Sequence, residues 1–174
     1  MSRIYTRSGD AGQSGLFNGQ RLPKTASIFA AIGDVDELNS LLGVIRSHTL
    51  PEIAESQLKK IQNRLFDLGS NLAGYQENAI DTDDADTLES WIDEMQSDLE
   101  PLKQFILPAG GPVSSFTHLA RSVCRRAERH VIEAAVEHLF PSACAVYLNR
   151  LSDYLFVLAR YISRGKEQFW EVHA

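Results

Sequence analysis

The sequence predicts an all-α protein, in which a glycine-rich N-terminal loop precedes a bundle of five helices. Two observations predict this fold class. Apolar residues recur at alternating three- and four-residue spacing along the chain, which is the period of an amphipathic helix, and clusters of proline and glycine separate the periodic segments. No β-strand run of convincing length occurs in the sequence. With 174 residues, the chain is expected to fold as one domain over positions 1–174.

The N-terminal loop, residues 1–23, has a composition suited to binding an anion. Four glycines lie between Gly9 and Gly19, together with Asp10 and several hydroxyl residues, and Lys24 follows the loop. Glycine lets a backbone turn through positive φ and approach a ligand closely, so that successive N–H groups can converge on a phosphate. The loop therefore predicts a polyphosphate site. A flexible, solvated N-terminus is the alternative interpretation.

Three helices are predicted between the loop and the middle of the chain, over about 24–48, 52–74 and 84–104. The second has the clearest apolar stripe, formed by Leu58, Ile61, Leu65, Leu68 and Leu72. The third opens on a run of acidic residues, which suits the positive end of the helix dipole. The first places several acids and an amide among apolar neighbours, and a buried carboxylate there would need a cationic partner.

Two more helices are predicted after the break at 107–112. Pro112 is well placed for the first turn of a fourth helix, which runs to about Leu139. Phe140 and Pro141 interrupt the chain again, and a fifth helix continues to about Arg164 and ends at Gly165. The bundle is thus expected to occupy 24–165, followed by a C-terminal tail at 166–174.

The fourth helix carries four arginines within nine residues. At roughly 100° per residue, Arg121, Arg125 and Glu128 fall on one stripe. Arg129 lies at the edge of that stripe, and Arg126 points elsewhere. Because guanidinium groups bind carboxylates and phosphates bidentately, the stripe indicates an anionic partner, which the acids of the first helix could also supply. An ordinary surface helix with salt bridges is the alternative interpretation.

Composition and spacing exclude several other classes of protein. The net charge of −6 argues against a general nucleic-acid binder, and no apolar run approaches membrane-spanning length. Cys124 and Cys144 lack metal-ligand spacing and are expected to be buried, reduced thiols in a cytoplasmic protein without a signal segment. No histidine follows a glutamate by three residues, and there is no Walker-type phosphate loop or nucleophile elbow.

Five segments in order resemble one family, the PduO-type ATP:cob(I)alamin adenosyltransferases, also called corrinoid adenosyltransferases. The matching segments are 6–14 with 21–24, 33–39, 105–111, 121–129 and 148–156. The resemblance implies transfer of the 5′-deoxyadenosyl group of ATP to the cobalt of cob(I)alamin, which forms adenosylcobalamin and releases triphosphate. It also implies a homotrimer with active sites between adjacent subunits. A reductase and a cobalamin-dependent enzyme are the candidate protein partners.

The resemblance also implies a role for individual residues. Around the ATP phosphates it places Thr6, Arg7, Ser8, Gly9, Ser14 and Lys24, with Mg²⁺ held mainly through the phosphates rather than by clear protein ligands. The second ATP-contacting segment would consist of Arg125, Arg126, Glu128, Arg129 and Asn149. Phe105 would shape the corrinoid side, and Asp36 and Arg121 would form an ion pair between subunits. Catalysis is expected to depend on Arg125, Lys24 and Phe105.

One position departs from the family pattern, because relatives often carry an uncharged residue where this chain has Asp34. The role of Asp34 therefore stays open. Two other functions also stay open on sequence alone: a non-catalytic bundle that carries a nucleotide or corrinoid, and a structural interaction bundle that binds no ATP.

Overall fold

The computed structural model describes residues 4–164 and 166–171 and confirms the all-α bundle. Five α-helices occur in this part of the chain. They are α1 Ser27–Arg46, α2 Glu52–Leu72, α3 Thr82–Ser97, α4 Pro112–Ala134 and α5 Ala143–Ser163. The predicted helix end at Gly165 lies outside the described residues.

The N-terminal loop contains a short β-ribbon, whose two strands have only 3 residues each and so agree with the prediction that no strand of convincing length occurs. Strands β1 (Gln13–Gly15) and β2 (Arg21–Pro23) pair antiparallel, with Ser14 opposite Leu22. Strands of three residues are too short to show an alternating pattern. The available signal was Asn18-Gly19, a dipeptide typical of hairpin turns, and Gly19 has a φ of +85°.

Two helices end earlier than the sequence predicts. Helix α3 ends at Ser97 rather than near 104, because Pro101 disfavours helical geometry in the residue before it. Helix α4 ends at Ala134 rather than near Leu139. The side chains of Val136 and Leu139 are exposed, so the residues directly after Ala134 gain no apolar burial that would hold another helical turn.

The core lies between α4 and the two helices that flank it, α1 and α5, while α2 packs on α1 and α3 on α5. The predicted apolar stripe of α2 is buried over its whole length. On α5, Tyr147 and Tyr154 are buried, and the Tyr154 hydroxyl donates to Gln57 Oε1 at 2.9 Å. That bond satisfies the polar end of an otherwise apolar side chain.

Cys124 and Cys144 are both free and buried, as predicted. Burial raises the pKa of the Cys144 thiol to about 12 and also raises that of Cys124. Both groups therefore remain protonated and unreactive at neutral pH. Among the helices of the described part, none combines the length and the apolar character needed to cross a bilayer.

Candidate functional site

The segment before β1 folds through its own backbone hydrogen bonds. Asp10 N donates to Arg7 O at 3.3 Å and Gly12 N donates to Gly9 O at 3.1 Å, which gives two successive turns. Arg7 adopts a φ of +61°, a left-handed conformation that is uncommon for a residue with a side chain. The hydroxyl oxygens of Thr6 and Ser8 lie 2.7 Å apart on the exposed side of these turns.

Lys24 closes this loop. Its backbone N–H donates to Gly12 O at 2.8 Å, and a Cβ added to Gly9 would lie 3.2 Å from Lys24 Nζ. The ammonium group therefore lies against the glycine. Arg21 reaches back to donate to Ser8 O at 2.7 Å. The structure thus brings Gly9, Ser8 and Lys24 together, as a polyphosphate site requires.

The ribbon contacts the end of the bundle at which α2 ends and α1 begins. Phe17 N donates to Ala73 O at 2.8 Å, and the Phe17 ring meets Tyr75 edge-on with 4.6 Å between ring centroids. Asn18 also packs on Gly74, whose φ is +95°. These contacts give the loop a defined place, which favours a binding loop over a solvated terminus.

On α4, Arg125 and Arg129 project into solvent. Arg129 donates to the Arg125 carbonyl at 3.0 Å, and in the described part of the chain no carboxylate lies within ion-pair distance of either guanidinium. Beside them, Asn149 on α5 donates to Glu128 Oε1 at 2.9 Å. The structure therefore groups four of the predicted residues on one surface, with two cationic groups open to an anion.

Arg126 faces a different direction, as its place on the helix predicts. Its Nε lies 3.2 Å from Asp34 Oδ1, and its Nη2 bonds Glu37. Hydrogen bonding to Asp34 is the main cause that raises the pKa of Arg126. His130 Nδ1 lies 2.8 Å from Asp34 Oδ2. Asp34 in the first helix thus has a cationic partner, Arg126, in the fourth, which confirms that part of the sequence interpretation.

Asp36 and Arg121, the expected inter-subunit pair, do not meet within one chain. Asp36 is exposed and lines a groove of about 390 Å³ between α1 and α2, whose other lining residues include Phe66 and Gly33. Arg121 Nε is buried and, among the described residues, has no hydrogen-bond partner. Desolvation is the main cause that lowers the pKa of Arg121, and the nearby charge of Arg125 adds to it.

Phe105 lies in the segment before α4, and 79% of it is exposed. The C-terminal segment pairs with it as an isolated antiparallel bridge: Trp170 N donates to Phe105 O at 2.8 Å, and Leu107 N donates to Gln168 O at 2.7 Å. The two aromatic rings meet edge-on, with 6.3 Å between the centroids of Phe105 and Trp170. Sequence reasoning missed Trp170, and the signal was an adjacent aromatic pair, Phe169-Trp170, in a segment described only as a tail.

A buried arginine helps to hold this C-terminal segment. Arg160 of α5 is 6% exposed, donates to the Glu100 carbonyl at 2.7 Å and lies 3.7 Å from Glu167. Its charge therefore ties α5 both to the segment after α3 and to the residues that lead to Trp170. The chain itself therefore covers the face of α5 that carries Arg160.

No group of three or more histidine, cysteine, aspartate or glutamate side chains is arranged to hold a metal ion, as far as the described residues extend. The side-chain oxygens of the loop include the hydroxyls of Thr6 and Ser8, which lie 2.7 Å apart. Mg²⁺ commonly keeps several waters and binds nucleotide phosphates through few protein groups. The donor set of the loop therefore fits a magnesium ion that arrives with a triphosphate.

Residues 4–162 match the cobalamin adenosyltransferase family, and this chain belongs to that family. It is 41% identical over 175 residues to the cobalamin adenosyltransferase of Cupriavidus metallidurans, covering 98% of this chain and 95% of that protein. It is 44% identical over 176 residues to the human corrinoid adenosyltransferase MMAB, covering 92% of this chain and 69% of the relative.

Solved structures show the same fold. A variant of the PduO-type ATP:corrinoid adenosyltransferase from Lactobacillus reuteri, complexed with cobalamin and ATP, superposes with a TM-score of 0.90 at 33% identity and covers 97% of this chain and 96% of that one. An arginine-to-lysine variant from the same organism, complexed with ATP, gives a TM-score of 0.89 at 33% identity, with 97% and 100% of the two chains covered. The family resemblance found in the sequence is therefore confirmed.

Proposed function

We propose that this chain is an ATP:corrinoid adenosyltransferase that transfers the 5′-deoxyadenosyl group of ATP to the cobalt of cob(I)alamin and releases triphosphate. Membership of the family and the likeness to structures that hold ATP and cobalamin support this function. Two features of this chain carry the proposal together. One is an ordered loop in which Lys24 lies over Gly9, and the other is a pair of exposed guanidinium groups on α4.

In this reaction the reduced cobalt is itself the nucleophile, so the protein needs no catalytic serine, cysteine or histidine. Its task is to orient C5′ of ATP toward the cobalt and to stabilise the departing triphosphate. Lys24, Arg125 and the N–H groups of the loop would surround the oxygen on which negative charge grows as the C5′–O bond breaks. Thr6, Arg7, Ser8 and Ser14 would complete the binding of the phosphates, and Glu128, Arg129 and Asn149 would bind the nucleotide from α4 and α5.

Magnesium would enter with ATP. When bound, the ion neutralises phosphate charge. The hydroxyls of Thr6 and Ser8 are the protein groups nearest to it in this proposal, and Lys24 would share the neutralisation without being a metal ligand.

We propose that the functional unit is a homotrimer of single-domain chains, with each site between two copies. Within the described part of one chain, the hydrogen bonds and ion pairs do not connect the loop to Arg125. The Nε of Arg121 is buried without a hydrogen-bond partner among the described residues, while Asp36 is exposed beside an apolar groove. A neighbouring copy that places its Asp36 against Arg121 would satisfy both groups and complete the site.

Phe105 would bound the corrinoid side of the site. An apolar ring beneath the corrin would exclude water and the lower axial base, which leaves four-coordinate Co(II), a species that is easier to reduce to Co(I). Its high exposure in the single chain leaves the ring free to contact a large apolar ligand.

The two free thiols suit a reducing compartment, so we propose a cytoplasmic enzyme that receives electrons from a reductase and supplies a cobalamin-dependent enzyme.

An absorbance experiment tests the function directly. The purified protein receives ATP, magnesium and chemically reduced cob(I)alamin without oxygen, and the spectrum is followed together with the release of triphosphate. We expect conversion to adenosylcobalamin with one triphosphate per cobalamin. ATP and corrinoid binding without conversion would instead support a carrier, and absence of ATP binding would support a structural bundle.

A further inference from the structure

We propose that Asp34, Arg126 and His130 form an interhelical clamp that positions the arginines of α4 for ATP, and that Arg126 acts through α1 rather than by contacting the nucleotide. This inference rests on the proposed function, and it assigns a role to Asp34, the residue that departs from the family pattern. It also gives Arg126 a role other than the ATP contact that the resemblance implies.

The clamp follows from the antiparallel packing of α1 and α4. Asp34 and Glu37 are three residues apart on α1, and Arg126 and His130 are four residues apart on α4, so each pair shares one helix face. Glu37 bonds Arg126 only, whereas Asp34 meets both Arg126, at 3.2 Å, and His130, at 2.8 Å. One carboxylate therefore lies close to two side-chain nitrogens that are a full turn apart on α4.

Burial makes the central carboxylate dependent on these donors. The side chain of Asp34 is 13% exposed, against 38% for Arg126 and 35% for His130. A carboxylate that is largely removed from water is costly unless it is paired and hydrogen-bonded. If Arg126 turned toward a ligand on the outer face of α4, the Asp34 carboxylate would lose its arginine partner without gaining water in its place.

The clamp residues are direct sequence neighbours of the residues proposed to bind ATP. Arg126 follows Arg125, and His130 follows Arg129. Since successive side chains on a helix differ by roughly 100°, fixing residues 126 and 130 against α1 fixes the direction in which Arg125 and Arg129 project. On α1, Asp36 lies between Asp34 and Glu37 in the sequence, and it lines the groove between α1 and α2 instead. The clamp thus sets the rotation of both helices about their axes.

Four variants test the clamp through ATP binding, measured by calorimetry in the absence of corrinoid. Arg126→Gln and Asp34→Asn should each weaken ATP binding by roughly tenfold, because small misplacements of positioning groups have effects of this size or larger. The double variant should be no weaker than either single variant, since both remove one interaction. Arg126→Lys should restore part of the affinity.

Arg46→Gln is the matched control. Arg46 is also an interhelical arginine of α1, bonded to Glu55 and Gln62 of α2, and lies twelve residues from Asp34 along the same helix. We expect it to lower the melting temperature about as much as Arg126→Gln while leaving ATP affinity unchanged. If Arg126→Gln, like Arg46→Gln, lowers the melting temperature but leaves ATP affinity unchanged, the clamp is only structural and the proposal is wrong.

A second outcome would also overturn it: loss of ATP affinity in Arg126→Gln with no loss in Asp34→Asn, because Arg126 would then touch the nucleotide directly. Should Asp34→Asn fail to fold, Glu37→Gln removes the other carboxylate that Arg126 meets and carries the same expectation, with a smaller loss. The expected ATP affinities of the variants would support the clamp even if the wild type formed no adenosylcobalamin. The clamp and the adenosyltransferase function can therefore fail independently.

Discussion

The four arginines of α4 occupy three different environments although they lie within nine residues. Arg126 is paired with acids of its own chain, Arg121 is half-buried with its Nε out of contact with solvent, and Arg125 and Arg129 are exposed. Helical rotation alone separates Arg126 from the others, so the sequence was sufficient for that distinction. It was not sufficient to identify Asp34 as the partner, because this depends on how α1 lies against α4.

Removing the exposed guanidinium group of Arg125 should slow the chemical step. For Arg125→Ala we expect a loss of about 2–4 kcal/mol of transition-state stabilisation, the range typical of a preorganised donor to a developing oxyanion. The measurement is kcat/KM with ATP and cob(I)alamin. Arg150→Ala is the control, since Arg150 pairs with Glu89 and Asp153 on another surface. Equal losses in both variants would contradict a specific role for Arg125.

His118 should make stability depend on pH. Its side chain is buried, its Nδ1 has no hydrogen-bond partner in the described structure, and burial, followed by the charge of Arg121, lowers its pKa. Below the ordinary histidine pKa of about 6.5, His118 binds a proton in the unfolded chain but much less readily in the folded chain. Stability should therefore fall as the pH decreases from 7, by at most about 1.4 kcal/mol per pH unit for this one group.

Chemical denaturation between pH 5 and pH 8 measures this dependence, with His118→Gln as the comparison. The variant should show a shallower loss of unfolding free energy on the acid side of about pH 6.5. Identical slopes in the two proteins would mean that His118 gains its proton as easily in the folded chain as in the unfolded one.

At the scale of secondary structure, the helices were predictable and the short pairings were not. The apolar stripe of α2 and the proline and glycine breaks predict the helices, because these signals are local. The β1–β2 ribbon and the bridge between Ile106 and Phe169 depend on backbone bonds between segments of three residues or fewer. In the bridge, the partners are more than sixty residues apart, and no local pattern can predict such a contact.

The C-terminal segment should support the ring of Phe105. Trp170→Ala removes the edge-on contact at 6.3 Å while leaving the backbone bond from residue 170 to Phe105 O. We expect activity that starts from Co(II) with a reductant to fall more than ATP affinity, as for Phe105→Ala. Val44→Ala, which shortens an exposed apolar side chain near the C-terminal end of α1, is the control. Parallel losses of ATP affinity and activity would exclude this supporting role.

At the scale of the whole molecule, the arginine stripe continues as an apolar stripe. Ile132 follows Arg129 by three residues and Arg125 by seven, so all three lie on one face of α4, and Ile132 is 54% exposed. Beyond the helix, Val136 and Leu139 are 84% and 96% exposed. Exposed apolar surface beside charged residues is typical of protein interfaces. The helical pattern predicts this face, but only the packed bundle shows that its own chain leaves it uncovered.

Ile132→Asp should therefore disrupt assembly without unfolding the single chain. Light scattering should report a trimer for the wild type and smaller species for the variant, with ATP affinity reduced because each proposed site needs two copies. Ile53→Asp, at a partly exposed position of α2, should stay trimeric. A wild type that is monomeric at working concentration and still transfers the adenosyl group would contradict sites between subunits.

The central claim is that the N-terminal loop and the arginine face of α4 bind the same triphosphate. A crystal structure of the protein with ATP and magnesium measures this directly. We predict phosphate oxygens within hydrogen-bond distance of Lys24 from one copy and of Arg125 from the adjacent copy. A nucleotide bound elsewhere, or these two residues far apart both within a chain and between neighbouring chains, would contradict the account.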